Sequence, residues 1–238
     1  MSAAGFAVEG VTAGYGAAHI VEDVSFSVRA AGRLAILGRN GVGKTTLFSA
    51  LMGLARCHAG RVRLDDSDLT PLRTSERARK GLGLVPQTRD VFRSLTVEEN
   101  LVAGLKARSR DALAEAFALF PRLGERRRQP AALLSGGEQQ MLSIARTVLG
   151  QPRVLLLDEP LEGLAPVVCD EVMAALYTLT ERGTMTAILV EQQIERAMDF
   201  ASDTLIMDRG RIVWRGTSAA LKADRDAVER NLGVGGLH

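Results

Sequence analysis

Eight consecutive residues constrain this chain more than any other part of it: Gly38, Arg39, Asn40, Gly41, Val42, Gly43, Lys44 and Thr45 form an unbroken G-x-x-x-x-G-K-[ST] run. An apolar stretch, Leu34-Ala35-Ile36-Leu37, leads into it, and a helical pattern over residues 44–53 leads out. The glycines let successive backbone N–H groups turn inward as an anion nest, and the helix N-terminus adds its partial positive charge. Lysine at the seventh place reaches β- and γ-phosphates, and the hydroxyl that follows is a ligand for Mg²⁺. Thr46 continues the polar run.

The rest of the chain agrees with an α/β sheet protein. Strand-like runs at residues 6–11, 24–28, 33–37, 61–64, 82–85, 154–157, 186–190, 204–207 and 211–214 are separated by helical patterns. Residues 97–149 hold helical patterns and no convincing strand, so a helical insertion over about 88–149 is expected inside the α/β core. The tail, residues 224–238, ends in glycines and is expected to fray.

At 238 residues, 46% hydrophobic and 24% charged, the chain can bury one sizeable core, which excludes disorder for most of it. The net charge of +2 gives no electrostatic footprint for nucleic acid, and no nucleic-acid partner is expected. No run approaches the roughly 18 apolar residues of a membrane span, and residues 1–10 lack the basic and apolar segments of a signal peptide. Cys57 and Cys169 stand far apart, and His19, His58 and His238 do not cluster at metal-ligand spacing. Arg126-Arg127-Arg128 reads as a solvated loop or helix end.

Two further motifs carry chemistry. Val154-Leu155-Leu156-Leu157-Asp158-Glu159 is a buried strand running into paired carboxylates, suited to Asp158 holding Mg²⁺ and Glu159 orienting or deprotonating water. Leu134-Ser135-Gly136-Gly137-Glu138-Gln139-Gln140 opens an apolar-periodic helix; Ser135 is placed as its N-cap, and the glycines permit close approach of amides to phosphate oxygens.

With these three motifs in order the chain resembles the ATP-binding cassette family, whose signature reads L-S-G-G-[QE]. The resemblance covers about residues 6–221. It implies one nucleotide-binding domain over residues 1–238, a P-loop NTPase (RecA-like) α/β core with an N-terminal antiparallel β subdomain and a helical insertion subdomain. The core would comprise about residues 1–87 and 150–223. ATP and Mg²⁺ are the implied ligands. Gly38, Arg39, Asn40, Gly41, Val42, Gly43, Lys44, Thr45 and Thr46 would hold phosphates, Tyr15 would stack on adenine, and Thr45, Gln87 and Asp158 would hold the metal. Lys44, Gln87, Glu159 and Gln192 would act in catalysis, and Ser135, Gly136, Gly137 and Glu138 would cover the nucleotide of a second subunit.

Two departures narrow the subfamily. Gln192, in Val190-Glu191-Gln192, stands where the family usually has histidine, and Ala165, in Glu162-Gly163-Leu164-Ala165-Pro166, stands where many members have aspartate. Both are similar to the LivF type of branched-chain amino-acid importer subunit, and to its relatives for urea and short amides. Leu161 replaces a small polar residue, which is expected to weaken that loop's contact across a dimer. The resemblance implies permease subunits, a second histidine-bearing ATP-binding subunit in a head-to-tail dimer, a solute-binding protein acting indirectly, and a peripheral place on the cytoplasmic face of the cell membrane. A soluble cassette ATPase outside transport, a plain P-loop kinase or GTPase, and a nucleotide-gated structural subunit remain as alternatives.

Overall fold

The computed structural model describes residues 5–233. Its strands are β1 (Phe6–Tyr15), β2 (Ala18–Val28), β3 (Arg33–Leu37), β4 (Arg56–Leu64), β5 (Ser67–Asp68), β6 (Leu82–Val85), β7 (Val154–Asp158), β8 (Thr186–Glu191), β9 (Asp203–Asp208) and β10 (Arg211–Thr217). The helices are α1 (Lys44–Met52), α2 (Thr74–Lys80), α3 (Val97–Gly104), α4 (Leu113–Leu119), α5 (Pro121–Glu125), α6 (Gly136–Leu149), α7 (Pro166–Glu181), α8 (Ile194–Phe200), α9 (Ser218–Ala223) and α10 (Arg225–Leu232).

The strands form two sheets. One is antiparallel with order β2-β1-β4-β5; the other has order β10-β9-β3-β8-β7-β6 and is parallel except for β10. The antiparallel β subdomain and the α/β core expected from the sequence are therefore both present. Strands β3, β7 and β8 are aliphatic at nearly every position because both faces of the parallel sheet are covered. Leu34, Ile36, Val154, Leu156, Ile188 and Val190 face α1 and the antiparallel sheet. Ala35, Leu37, Leu155, Leu157, Ala187 and Leu189 face the other way, toward α7, α8 and the helical insertion.

Between β6 and β7 lie α3 to α6, with one isolated bridge, Thr96 to Pro130, and no named strand. Thr96 and Ser135 cap α3 and α6 through reciprocal bonds with Glu99 and Glu138. Pro121 at the start of α5 ends α4, so this stretch breaks into two short helices. Trp214 packs half-buried against the core from β10.

Three boundaries differ from the sequence reading by about four residues or more. β1 runs on to Tyr15, β2 begins at Ala18, and β4 begins at Arg56. From Arg225 the tail is helical through Leu232, anchored by buried Val228 and Leu232 on one face of α10; its last residues, with His238, lie outside the described residues. Among the described residues no helix is long and apolar enough to cross a membrane.

Candidate nucleotide-binding site

The Gly38 to Thr46 loop leaves the carboxyl end of β3 and turns into α1. Gly43 takes φ +106 just before the helix, a conformation that any side chain would strain. At Gly38 a Cβ would stand 2.5 Å from the carbonyl oxygen of Met207. Arg39, Asn40, Gly41 and Thr45 are exposed and Val42 packs partly against the core. Lys44 is buried, its Nζ donating to the carbonyls of Gly38 at 2.7 Å and Arg39 at 2.9 Å and lying 3.4 Å from Glu159 Oε1. Arg39 points elsewhere: its Nε donates to the carbonyl of Leu232 in α10 at 3.3 Å.

Asp158 ends β7 fully buried, and its Oδ1 has no hydrogen-bond partner. Burial pushes its carboxyl up to about 6; a hydrogen bond from the Thr45 side chain opposes the shift and the charge of Glu159 adds to it. An unpartnered buried carboxylate oxygen beside a hydroxyl is a donor set that suits a hard divalent cation. The raised value also carries a stability prediction. The acid binds its proton more tightly folded than unfolded, so the charged form costs about 3 kcal/mol above pH ~6, and the cost fades as pH falls toward 4. Asp158→Asn is expected to raise the melting temperature of the metal-free chain at about pH 7.5, by an increment that shrinks at about pH 5. Thermal melts in chelator check it, and an unchanged or lowered melting temperature at pH 7.5 would refute it.

Glu159 is the centre of the site. It sits at φ +47, rare for a residue with a side chain, and its N–H donates to Val190 O at 2.9 Å. Its Oε2 accepts from Gln192 Nε2 at 2.5 Å and from Gln87 Nε2 at 3.3 Å. Gln87 also donates to Glu162 Oε2 at 2.5 Å. Lys44, Gln87, Asp158, Glu159 and Gln192, predicted from separate stretches of sequence, thus converge at the carboxyl ends of β3, β6, β7 and β8, where open α/β sheets bind ligands. Tyr15 ends β1 with its ring half-exposed.

The Leu134 to Gln140 segment stands apart. Ser135 is exposed, and no hydrogen bond or ion pair joins residues 135–138 to the phosphate loop among the described residues. Glu138 is buried. Its carboxylate accepts from Ser135 N at 2.8 Å and Ser135 Oγ at 2.9 Å and pairs with Arg126 at 2.5 Å, so it is engaged within its own chain. Leu161 is fully buried in the chain's core, so its side chain is not offered to a neighbour.

Sequence reasoning missed the residues that hold these groups. Arg126, Arg127 and Arg128 are exposed in the turn after α5, as the sequence reading has them, and from there Arg126 pairs with Glu138 and Arg127 makes a bidentate bond with Glu98. Buried Asn100 accepts from Phe92 N and donates to the carbonyls of Phe92, Leu95 and Thr96, while Arg146 lies over the Phe92 ring at 4.8 Å and donates to Asp90 O. Together they fix the loop that follows Gln87. Asn100 in an apolar helical pattern was the one available signal.

The ABC transporter family model matches residues 21–162. This chain belongs to the ABC transporter family. It is an ATP-binding subunit, an ATPase of that class. It is 38% identical over 223 residues to the high-affinity branched-chain amino acid transport ATP-binding protein BraG of Pseudomonas aeruginosa, covering 92% of this chain and 95% of that one. The probable branched-chain amino acid transport ATP-binding protein LivF of Archaeoglobus fulgidus is 35% identical, with 89% and 91% covered. The lipopolysaccharide export ATP-binding protein LptB of Escherichia coli is 30% identical, with 92% and 93% covered. Among solved structures, a nucleotide-free ATP-binding cassette from an ABC transporter superposes with a TM-score of 0.84 at 22% identity over 98% of this chain and all of the other.

Proposed function

We propose that this chain is the ATP-hydrolysing subunit of an importer of branched-chain amino acids, seated on permease subunits at the cytoplasmic face of the cell membrane. What carries the reading is the likeness to BraG and LivF over nine-tenths of each chain, above that to LptB.

The residues take these parts. Backbone N–H groups from Gly38 to Thr46 and the Lys44 ammonium hold the β- and γ-phosphates, and Tyr15 stacks on adenine. Thr45, Asp158 and Gln87 hold Mg²⁺, which when bound neutralises phosphate charge. Glu159 accepts the proton of the attacking water, and Gln192 and Gln87 hold that carboxylate in place. Most of the rate comes from positioning and fixed charge. Ser135, Gly136, Gly137 and the backbone of Glu138 cover the γ-phosphate bound by a second subunit in a head-to-tail dimer. The exposed Ser135, cut off from its own chain's phosphate loop, supports that arrangement, as do the exposed residues 162, 163 and 165–167.

Gln192 donates a hydrogen bond and carries no charge, so we infer that the second subunit bears histidine at this place. Gln192→Ala is expected to lower turnover of the assembled transporter less than loss of that histidine; equal losses would refute the asymmetry. The whole reading is tested by affinity capture of this tagged chain from detergent-solubilised membranes, identified by mass spectrometry, followed by ligand screening of the cognate solute-binding protein. Two permeases, a second ATPase and leucine, isoleucine or valine binding are expected. Urea or amide binding would reassign the cargo, and recovery of only soluble partners, DNA or ribosomes would overturn transport.

A further inference from the structure

Glu191, the last residue of β8, is 2% exposed and has no ion-pair partner among the described residues. Its Oε1 accepts the N–H of Leu161 at 2.9 Å, and its Oε2 accepts those of Gln192 at 2.9 Å and Gln193 at 3.2 Å. Burial raises its carboxyl and the three N–H groups oppose the shift. A carboxylate so deeply buried without a cation is expensive, and it persists only where its hydrogen bonds hold something in place.

What it holds is the loop carrying Glu159. That residue adopts a left-handed backbone at φ +47, a conformation that costs of order 1–3 kcal/mol and lasts only when its surroundings over-determine it. Three consecutive residues of the neighbouring strand end do this. Val190 O accepts the N–H of Glu159, Glu191 accepts the N–H of Leu161 two residues on, and Gln192 Nε2 donates to the Glu159 carboxylate. Leu161 is then locked by burial, and its carbonyl receives the Cys169 thiol.

We infer that Glu191 is a positioning residue for hydrolysis: by joining the loop behind Glu159 to the loop that carries Gln192, it makes both move as one body and aims the Glu159 carboxylate. This rests on the reading of Glu159 as the base. Glutamine at 191 keeps the shape but has one acceptor oxygen where two are used, so either Leu161 or the Gln192–Gln193 pair loses its bond.

The test uses the full chain, purified with the subunits that accompany it. Glu191→Gln is expected to lower kcat about ten- to a hundredfold, since a misplacement of about 1 Å has that effect. The Kd for MgADP, read by titration calorimetry, is expected to stay within about twofold. Because Glu191 acts through Glu159, the Glu159→Gln/Glu191→Gln double variant is expected to be no slower than Glu159→Gln alone. Should Glu191→Gln fail to bind MgADP, Glu191→Asp, which keeps the charge but is one methylene shorter, carries the same expectation. Wild-type kcat in a folded variant, or fully additive losses in the double variant, would overturn the inference. Wild-type turnover by Glu159→Gln would instead remove the base reading on which it stands.

Discussion

Glu159→Gln is expected to slow ATP hydrolysis by at least about a hundredfold while leaving nucleotide binding intact, the size of effect that losing a general base produces. Two amides, from Gln87 and Gln192, donate to one oxygen of Glu159, and Lys44 stands at the other. A glutamine can satisfy one side only, and the side it abandons is the lysine. Freed from that carboxylate, Lys44 offers its ammonium to phosphate, so affinity for MgATP is expected to be equal or greater. Phosphate release at saturating MgATP, together with a Kd from calorimetry, checks both halves. Turnover within about twofold of wild type would take the proton-accepting role away from Glu159.

The second large effect lies outside the chemistry. Arg77 on α2 is 3% exposed, and its guanidinium donates to Ala50 O and Leu51 O at 2.7 Å, Thr70 O at 2.8 Å and Leu72 O at 3.0 Å. Two of those carbonyls lie in the last turn of α1, the helix that the phosphate loop opens: Ala50 O also accepts the N–H of Gly53 at 3.0 Å, and Leu51 O takes its hydrogen bond from Arg77. Alanine would remove a donor from all four carbonyls, Ala50 O alone keeping its bond from Gly53 N, and leave a void where the side chain packed. The expected loss is about 3–4 kcal/mol, or roughly 6–15 °C in melting temperature for a domain of this size. Lysine restores charge but not the planar fork that reaches four carbonyls, so Arg77→Lys is expected to recover less than half. Chemical denaturation of both variants decides it; an Arg77→Ala loss under about 1 kcal/mol would show that the carbonyls find other donors.

Much of this was legible in the sequence where one principle acted alone. The phosphate loop shows because glycine, lysine and a buried strand stand in a fixed order, and β7 and β8 show because both faces are covered. β1 was cut short in the reading for a physical reason: its register against β2 shifts between Val8 and Val11 and again before Ala13. Each shift flips the alternation of apolar residues, so a ten-residue strand loses its period after the first half. The first half of β4, Arg56 to Gly60, carries few apolar residues and gave no pattern to follow. The partners of Arg126 and Glu191 were illegible for a different reason: nothing in the sequence brings Glu138 to an exposed turn arginine, or the N–H of Leu161 to a glutamate that ends a strand. α10 escaped because eight mostly polar residues hold on through Val228 and Leu232.

Arg39 makes the end of the chain a gauge for its beginning. The Leu232 carbonyl is held by a side chain of the phosphate loop itself, so a displacement of that loop is transmitted through one hydrogen bond to the last turn of α10. Glu229, on that turn and exposed, is an address for an environment-sensitive dye that would read loop movement while leaving every nucleotide contact untouched.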